Sequence, residues 1–179
     1  MRTATIDTPV GPFTIVGRGK AVLASGFTTD EDALLALISP ATLAASSDDA
    51  DDTDLDQAVA AARSYFDGDL QAIDTVHVDQ RSNGGFLGHA WEVLRTVPAG
   101  EIVTYRDFAE RAGRPTAVRA AAAACARNAA ALFVPCHRIV RTDGGLGGYR
   151  YGLDIKRWLR RYEAPQETTD ELAVGETRS

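Results

Sequence analysis

Apolar and polar positions alternate along residues 4–16 on either side of a Thr8-Pro9-Val10-Gly11-Pro12 turn, a pattern that predicts a β-hairpin, and residues 21–27 continue it as a third strand. Asp30 precedes an apolar stretch at 33–38 and is a natural N-cap for a helix there. Residues 46–56 carry six aspartates with little to bury, and read as a loop. Helical periodicity returns at 55–66 and stops at Asp67-Gly68-Asp69, after which 73–78 alternates like a strand. The pattern divides the chain into an N-terminal α/β domain (1–80), a polar, glycine-bearing linker (81–88), a C-terminal domain (89–163) and a polar, disordered tail (164–179).

The second half is mainly helical. Ala90, Trp91, Val93 and Leu94 form the apolar stripe of a helix over 86–96, closed by Pro98 and Gly100. Thr104 caps a helix at 105–112, Gly113-Arg114-Pro115 breaks it, and Thr116 caps another that runs to Ala126. Two helices joined by a short glycine-bearing turn predict a helix-turn-helix, with the second as recognition helix. Residues 120–124 are all alanine, so one flank of that helix permits close approach, and Arg119 is its one charge before Arg127. A glycine-dense loop follows at 141–150, then a basic helix at 154–162 with Glu163 at its end.

Charge sharpens this division. The 179 residues carry a net charge of -6, but residues 1–90 hold 5 Lys and Arg against 14 Asp and Glu, whereas residues 91–163 hold 13 against 7. The basic half is almost all arginine, which offers bidentate contacts to phosphate. The acidic half must then face away from any polyanion. The N-terminal stretch reads as a strand bearing Arg2 and Asp7, and no apolar run approaches membrane-spanning length, so a cytoplasmic protein with neither leader nor membrane partner is expected. Cys125 and Cys136 are too few for a disulfide scaffold and lack a second ligand pair for zinc, so no metal or cofactor is expected.

Candidate chemistry concentrates at Val134-Pro135-Cys136-His137-Arg138-Ile139-Val140. A thiol needs a base or a positive field to become thiolate, and this run supplies both. On a straight strand adjacent side chains point to opposite faces, so His137 can serve Cys136 only if the chain turns, or through a water; Pro135 favours a turn. On these letters alone a buried structural cysteine beside a surface histidine is the favoured reading, because Cys is among the most buried residue types. The surroundings decide.

Pro135-Cys136-His137-Arg138, with Asn128 before it and Gly147-Gly148-Tyr149-Arg150 after it, resembles the O6-alkylguanine-DNA alkyltransferase family, bacterial branch. Gly100-Glu101-Ile102-Val103-Thr104-Tyr105, Arg114-Pro115, Arg119 and Cys125-Ala126-Arg127-Asn128 follow the family's order, and the likeness is strong over 86–163. It is weaker over 1–80, where Asp7 to Pro12 and Tyr65-Phe66-Asp67-Gly68 carry it.

The resemblance implies an α+β fold, with a ribonuclease-H-like N-terminal domain and a winged-helix-like C-terminal domain. It implies a monomer without an obligate protein partner, acting on double-stranded DNA that contains alkylated guanine. Cys136 is then the single-use acceptor of the alkyl group, His137 withdraws its proton through a water, Glu163 orients the imidazole, and Asn128 holds the turn before the cysteine. Tyr105 rotates the target phosphate and helps protonate the departing guanine, Arg119 fills the gap left by the flipped base, and Thr116 lies on the DNA-binding side. The guanine pocket is assigned to Cys125, Ile139, Tyr149 and Arg150. Oxidation that joined Cys125 to Cys136 would inactivate such a site. A histidine, His89, stands near the usual Gln-containing entry to the Trp91 helix. Non-catalytic lesion binding, a cysteine-sensing DNA-bound regulator and a Cys-His hydrolase are the alternatives; Cys136 argues against the first, and neither a sensor metal site nor an oxyanion site is visible for the others.

Overall fold

The computed structural model describes residues 1–45 and 55–165, so most of the acidic run and nearly all of the tail lie outside the described residues. Strands β1 (Arg2–Thr8), β2 (Gly11–Arg18) and β3 (Ala21–Gly26) form an antiparallel meander in the order β1-β2-β3. The predicted hairpin closes with Thr8 donating its hydroxyl to the Gly11 carbonyl at 2.6 Å, and Ile6 pairs with Phe13. A bulge falls between Val16 and Gly17. A Cβ at Gly17 would sit 2.7 Å from Leu55 Cδ1, so glycine there lets the helix that begins at Leu55 reach the sheet.

That helix, together with two shorter ones, covers the sheet. Helix α1 (Glu31–Leu35) starts where expected, with Ala33 N donating to Asp30 Oδ1 at 3.0 Å, but it is shorter than the predicted 33–38 stretch. A second short helix, α2 (Pro40–Ala44), follows; its Ser39 cap and Pro40 at the first position were a readable start signal that the apolar pattern did not stress. Helix α3 (Leu55–Phe66) buries Leu55, Ala58, Ala62 and Tyr65, the spacing of one helical face.

The expected strand at 73–78 is replaced by a 3-10 turn at Ala72–Thr75. Ile73 and Val76 are both buried, an i, i+3 spacing that a tight helical turn satisfies and that short alternation cannot distinguish. Only Val78 pairs, in a parallel bridge with Val22.

In the second half, helix α4 (Gly85–Arg95) begins inside the stretch expected to be linker. Strand β4 (Val103–Thr104) leads into α5 (Tyr105–Arg111), α6 (Val118–Ala126) follows, strand β5 (Ile139–Val140) pairs in parallel with β4, and α7 (Leu153–Glu163) closes the described chain. Thr104 caps α5 as predicted, accepting from Asp107 N at 3.1 Å.

Thr116 does not cap α6. Ala117 N bonds to Arg114 O at 2.9 Å, so a backbone-closed turn carries the chain past Thr116, and the helix starts at Val118 from Ala117, with no side-chain cap. The Trp91 indole donates to Ala124 O at 2.9 Å, an approach that the small residues of α6 allow. One apolar cluster includes Phe13 and Tyr65 from the first half and Leu94, Phe108, Phe133 and Leu159 from the second. Among the described residues no helix is long and apolar enough to cross a membrane.

Candidate active site

The segment between α6 and the cysteine is held by a seam with the sheet. Ser25 N donates to Ala129 O (2.9 Å), Ala131 N to Ser25 O (3.1 Å) and the Ser25 hydroxyl to Ala131 O (2.7 Å). Immediately after this seam Leu132, fully buried, takes φ 74°, the one non-glycine positive φ among the described residues. A left-handed leucine costs on the order of 1–2 kcal/mol, and the bonds around it offset that cost.

Asn128 completes the staple. Its side-chain oxygen accepts from Ala130 N at 3.1 Å, while Nδ2 donates to Val134 O at 2.8 Å and to Cys136 Sγ at 3.3 Å. The residue expected to hold the turn therefore also touches the thiol.

The chain does turn at the cysteine. Pro135 (φ −83°, ψ 63°) opens a 3-10 turn over Cys136–Arg138, so the adjacent cysteine and histidine escape the opposite-face geometry of a strand. His137 is fully buried, with Nε2 2.8 Å from Glu163 Oε1. Burial alone would raise the Glu163 pKa, but its hydrogen bond with His137 and the bonds and charge of Arg138 outweigh it and hold the carboxyl well below the usual range. Against an ionised carboxylate the proton belongs on Nε2, which leaves Nδ1 as the basic nitrogen. Nδ1 is itself buried, with no hydrogen-bond partner in the protein. Burial pushes the Cys136 thiol up, and the Asn128 hydrogen bond and the Lys156 charge only partly counter it, so a base is needed.

Cys136 opens onto a cavity of about 420 Å³ whose lining includes Tyr105, Ala122, Cys125, Asn128, Tyr149 and Arg150. Tyr149 Oη is buried and unpartnered, a group free to bond a ligand. Cys125 and Cys136 are both free thiols on this wall. Ile139 is not part of the lining: it is fully buried in β5, and its carbonyl accepts from Lys156 Nζ at 2.6 Å. Lys156, also fully buried, bonds Gly148 O at 3.2 Å as well, tying the glycine loop to the Cys-His turn. Among the described residues no cluster of His, Cys, Asp or Glu could hold a metal ion.

Residues 85–165 match the DNA-binding domain of 6-O-methylguanine DNA methyltransferase. A methylated-DNA--protein-cysteine methyltransferase of Mycobacterium bovis is 33% identical over 166 residues, 93% of this chain and 94% of that one. The chain belongs to the 6-O-methylguanine DNA methyltransferase family. The bifunctional transcriptional activator/DNA repair enzyme Ada of Escherichia coli is 48% identical over 93 residues, and there the match spans 52% of this chain and 26% of Ada. The Mycobacterium tuberculosis OGT structure in complex with DNA superposes with a TM-score of 0.68 at 30% identity, covering 90% of this chain and 92% of that one.

In this 6-O-methylguanine DNA methyltransferase family member, Tyr105, at the start of α5, lines the cavity, and burial, with the two cysteines, raises its hydroxyl pKa to about 12. Arg119 and Thr116 are exposed. Arg119 lies three and seven residues before Ala122 and Ala126, which line the cavity, so all three share a face of α6. Arg150 donates to Ala126 O at 2.6 Å, joining the loop to the end of α6. His89 is exposed, 3.8 Å from Glu92.

Three site residues escaped sequence reasoning: Tyr65, whose hydroxyl donates to Glu163 Oε1; Arg138, bidentate on the same carboxylate; and Lys156. Arg138 stood in the Pro-Cys-His-Arg run and Lys156 is one of two lysines, but Tyr65 lies 98 positions from its partner.

Proposed function

We propose that this protein repairs alkylated duplex DNA by moving the alkyl group from O6 of a flipped guanine to Cys136, once per molecule. The observation that carries the reading is the Cys136 thiol on the wall of a cavity roomy enough for a nucleobase, one residue from a buried His137–Glu163 pair. His137 Nδ1 takes the thiol proton through a water, Cys136 Sγ attacks the alkyl carbon, the carbon–oxygen bond breaks, and Tyr105 helps protonate the departing guanine. The attacked carbon is sp3, so no oxyanion hole is required. A thioether is inert to these groups, so the protein is consumed.

Arg119 fills the gap in the stack, and the alanine flank of α6 lies against the minor groove. Tyr149 Oη and the backbone around Arg150 bind the flipped base. Monomeric action fits a site whose groups all come from one chain, and free thiols fit a reducing, cytoplasmic setting.

Intact mass after incubation with a duplex containing O6-methylguanine tests the proposal. One methyl should appear on Cys136 and be absent from Cys136→Ser. Tight binding without mass gain would instead support the lesion-binder reading.

A further inference from the structure

Tyr65 belongs to α3, in the half of the chain that contributes none of the reacting groups, yet its fully buried hydroxyl donates to Glu163 Oε1 at 2.8 Å. The same oxygen lies 2.8 Å from His137 Nε2 and 2.8 Å from Arg138 Nη2, and Oε2 accepts from Arg138 Nε at 2.9 Å. Three donors around one oxygen leave no room for it to rotate away from the imidazole.

The position of Tyr65 is itself fixed. Its carbonyl accepts from Tyr162 Oη at 2.7 Å, and its ring stands edge-on to Phe66 (5.0 Å) and Tyr162 (5.5 Å). Arg138 is held by a further bond to Val97 O.

We propose that Tyr65 is a positioning residue for alkyl transfer: with Arg138 it holds the Glu163 carboxylate ionised and aimed, so that His137 keeps its proton on Nε2 and presents a bare Nδ1 to the thiol side. This rests on the alkyl-transfer reading above. Burial and the Glu163 charge raise the Tyr65 hydroxyl pKa, which favours Tyr65 as a neutral donor to the carboxylate. A neutral donor stabilises the carboxylate without competing for the imidazole's charge. Tyr162 also acts on the Tyr65 hydroxyl, Asp74 and Arg95 lie in the field of Arg138 and Glu163, and Tyr149 and Cys136 lie on the cavity side; Tyr65→Phe keeps every one of these side chains in the chain.

The test is Tyr65→Phe, which keeps the ring and removes the hydroxyl. Transfer from an O6-methylguanine duplex should slow roughly tenfold, the worth of one hydrogen bond to a charged group, while affinity for the duplex stays the same. The acid limb of the rate profile should shift, and the His137 side-chain nitrogens, read by 15N NMR, should move from a pure Nε2–H tautomer towards a mixture. A residue that only packs the core would lower thermal stability and leave both readouts unmoved. A native rate together with unchanged His137 nitrogens overturns the proposal.

If Tyr65→Phe fails to fold, the native protein decides. His137 protonated on Nε2, with a slowly exchanging Tyr65 hydroxyl proton, upholds the assignment, and a proton on Nδ1 sinks it. Native protein that gains no methyl removes the alkyl-transfer reading alone, because the tautomer measurement needs no DNA.

Discussion

A carboxylate buried as deeply as Glu163 survives as an anion only because donors surround it, and this makes it a pH-dependent fastener. Its folded pKa lies below its ordinary value of 4.5, so its contribution to stability is fully present above that pH and is lost as pH falls towards the folded value. Glu163→Gln should therefore be clearly less stable than the native protein at pH 7, with the gap narrowing on acidification below about 4.5; denaturant midpoints at the two pH values measure this. Asn128→Ala should cost about 2 kcal/mol, because it strands the buried Ala130 amide and removes one of the two donors to the Val134 carbonyl, which keeps its bond from Cys136 N, and should also slow thiol alkylation; equilibrium unfolding and iodoacetamide kinetics read the two effects separately. At this scale Cys136, His137, Asn128 and Glu163 were legible because each sits in a short local pattern or follows from the family resemblance. Tyr65 was not, since no periodicity links residues so far apart in sequence.

Among the elements, the glycine loop and α5 are matched to one another. Gly147 has φ 72°, and a Cβ there would lie 2.7 Å from Tyr105 Oη. Gly147→Ala should cost about 1 kcal/mol in backbone strain and push Tyr105 from its place in the cavity wall, so the alkyl-transfer rate should fall far more than the melting temperature; a variant with native rates would contradict this fit. Helices α3 and α4 were legible because their apolar stripes repeat over two or more turns, α5 because Thr104 caps it, and α7 as a basic run that ends at Glu163. Where the pattern was short it misled: Ile73 and Val76 fit a 3-10 turn as well as a strand, and Thr116 looked like a cap while the backbone of Arg114 and Ala117 closed the turn. The order of the hairpin, the helix-turn-helix and the Cys-His turn followed from the sequence; the full burial of Ile139, outside the cavity lining, did not.

For the whole molecule, the polar gradient along the chain becomes a division of labour. Exposed Arg106, Arg114, Arg119, Arg127 and Arg150 all belong to the second half. The logarithm of DNA affinity should fall linearly with the logarithm of salt concentration, and Arg127→Ala should flatten that slope by about one unit, the loss of one phosphate contact. The first half reaches the reactive turn through Tyr65 and Ser25. A fragment limited to residues 85–165 loses both and exposes the apolar face that Phe13 and Tyr65 cover, so it should lack a cooperative thermal transition by circular dichroism.

The Ser25 seam makes two backbone amides unusual witnesses. Ser25 N and Ala131 N are each bonded across the junction, far along the chain from one another and out of contact with solvent. Their hydrogen exchange should be among the slowest in the protein and should quicken together, reporting as one cooperative unit whether the two halves are still clasped.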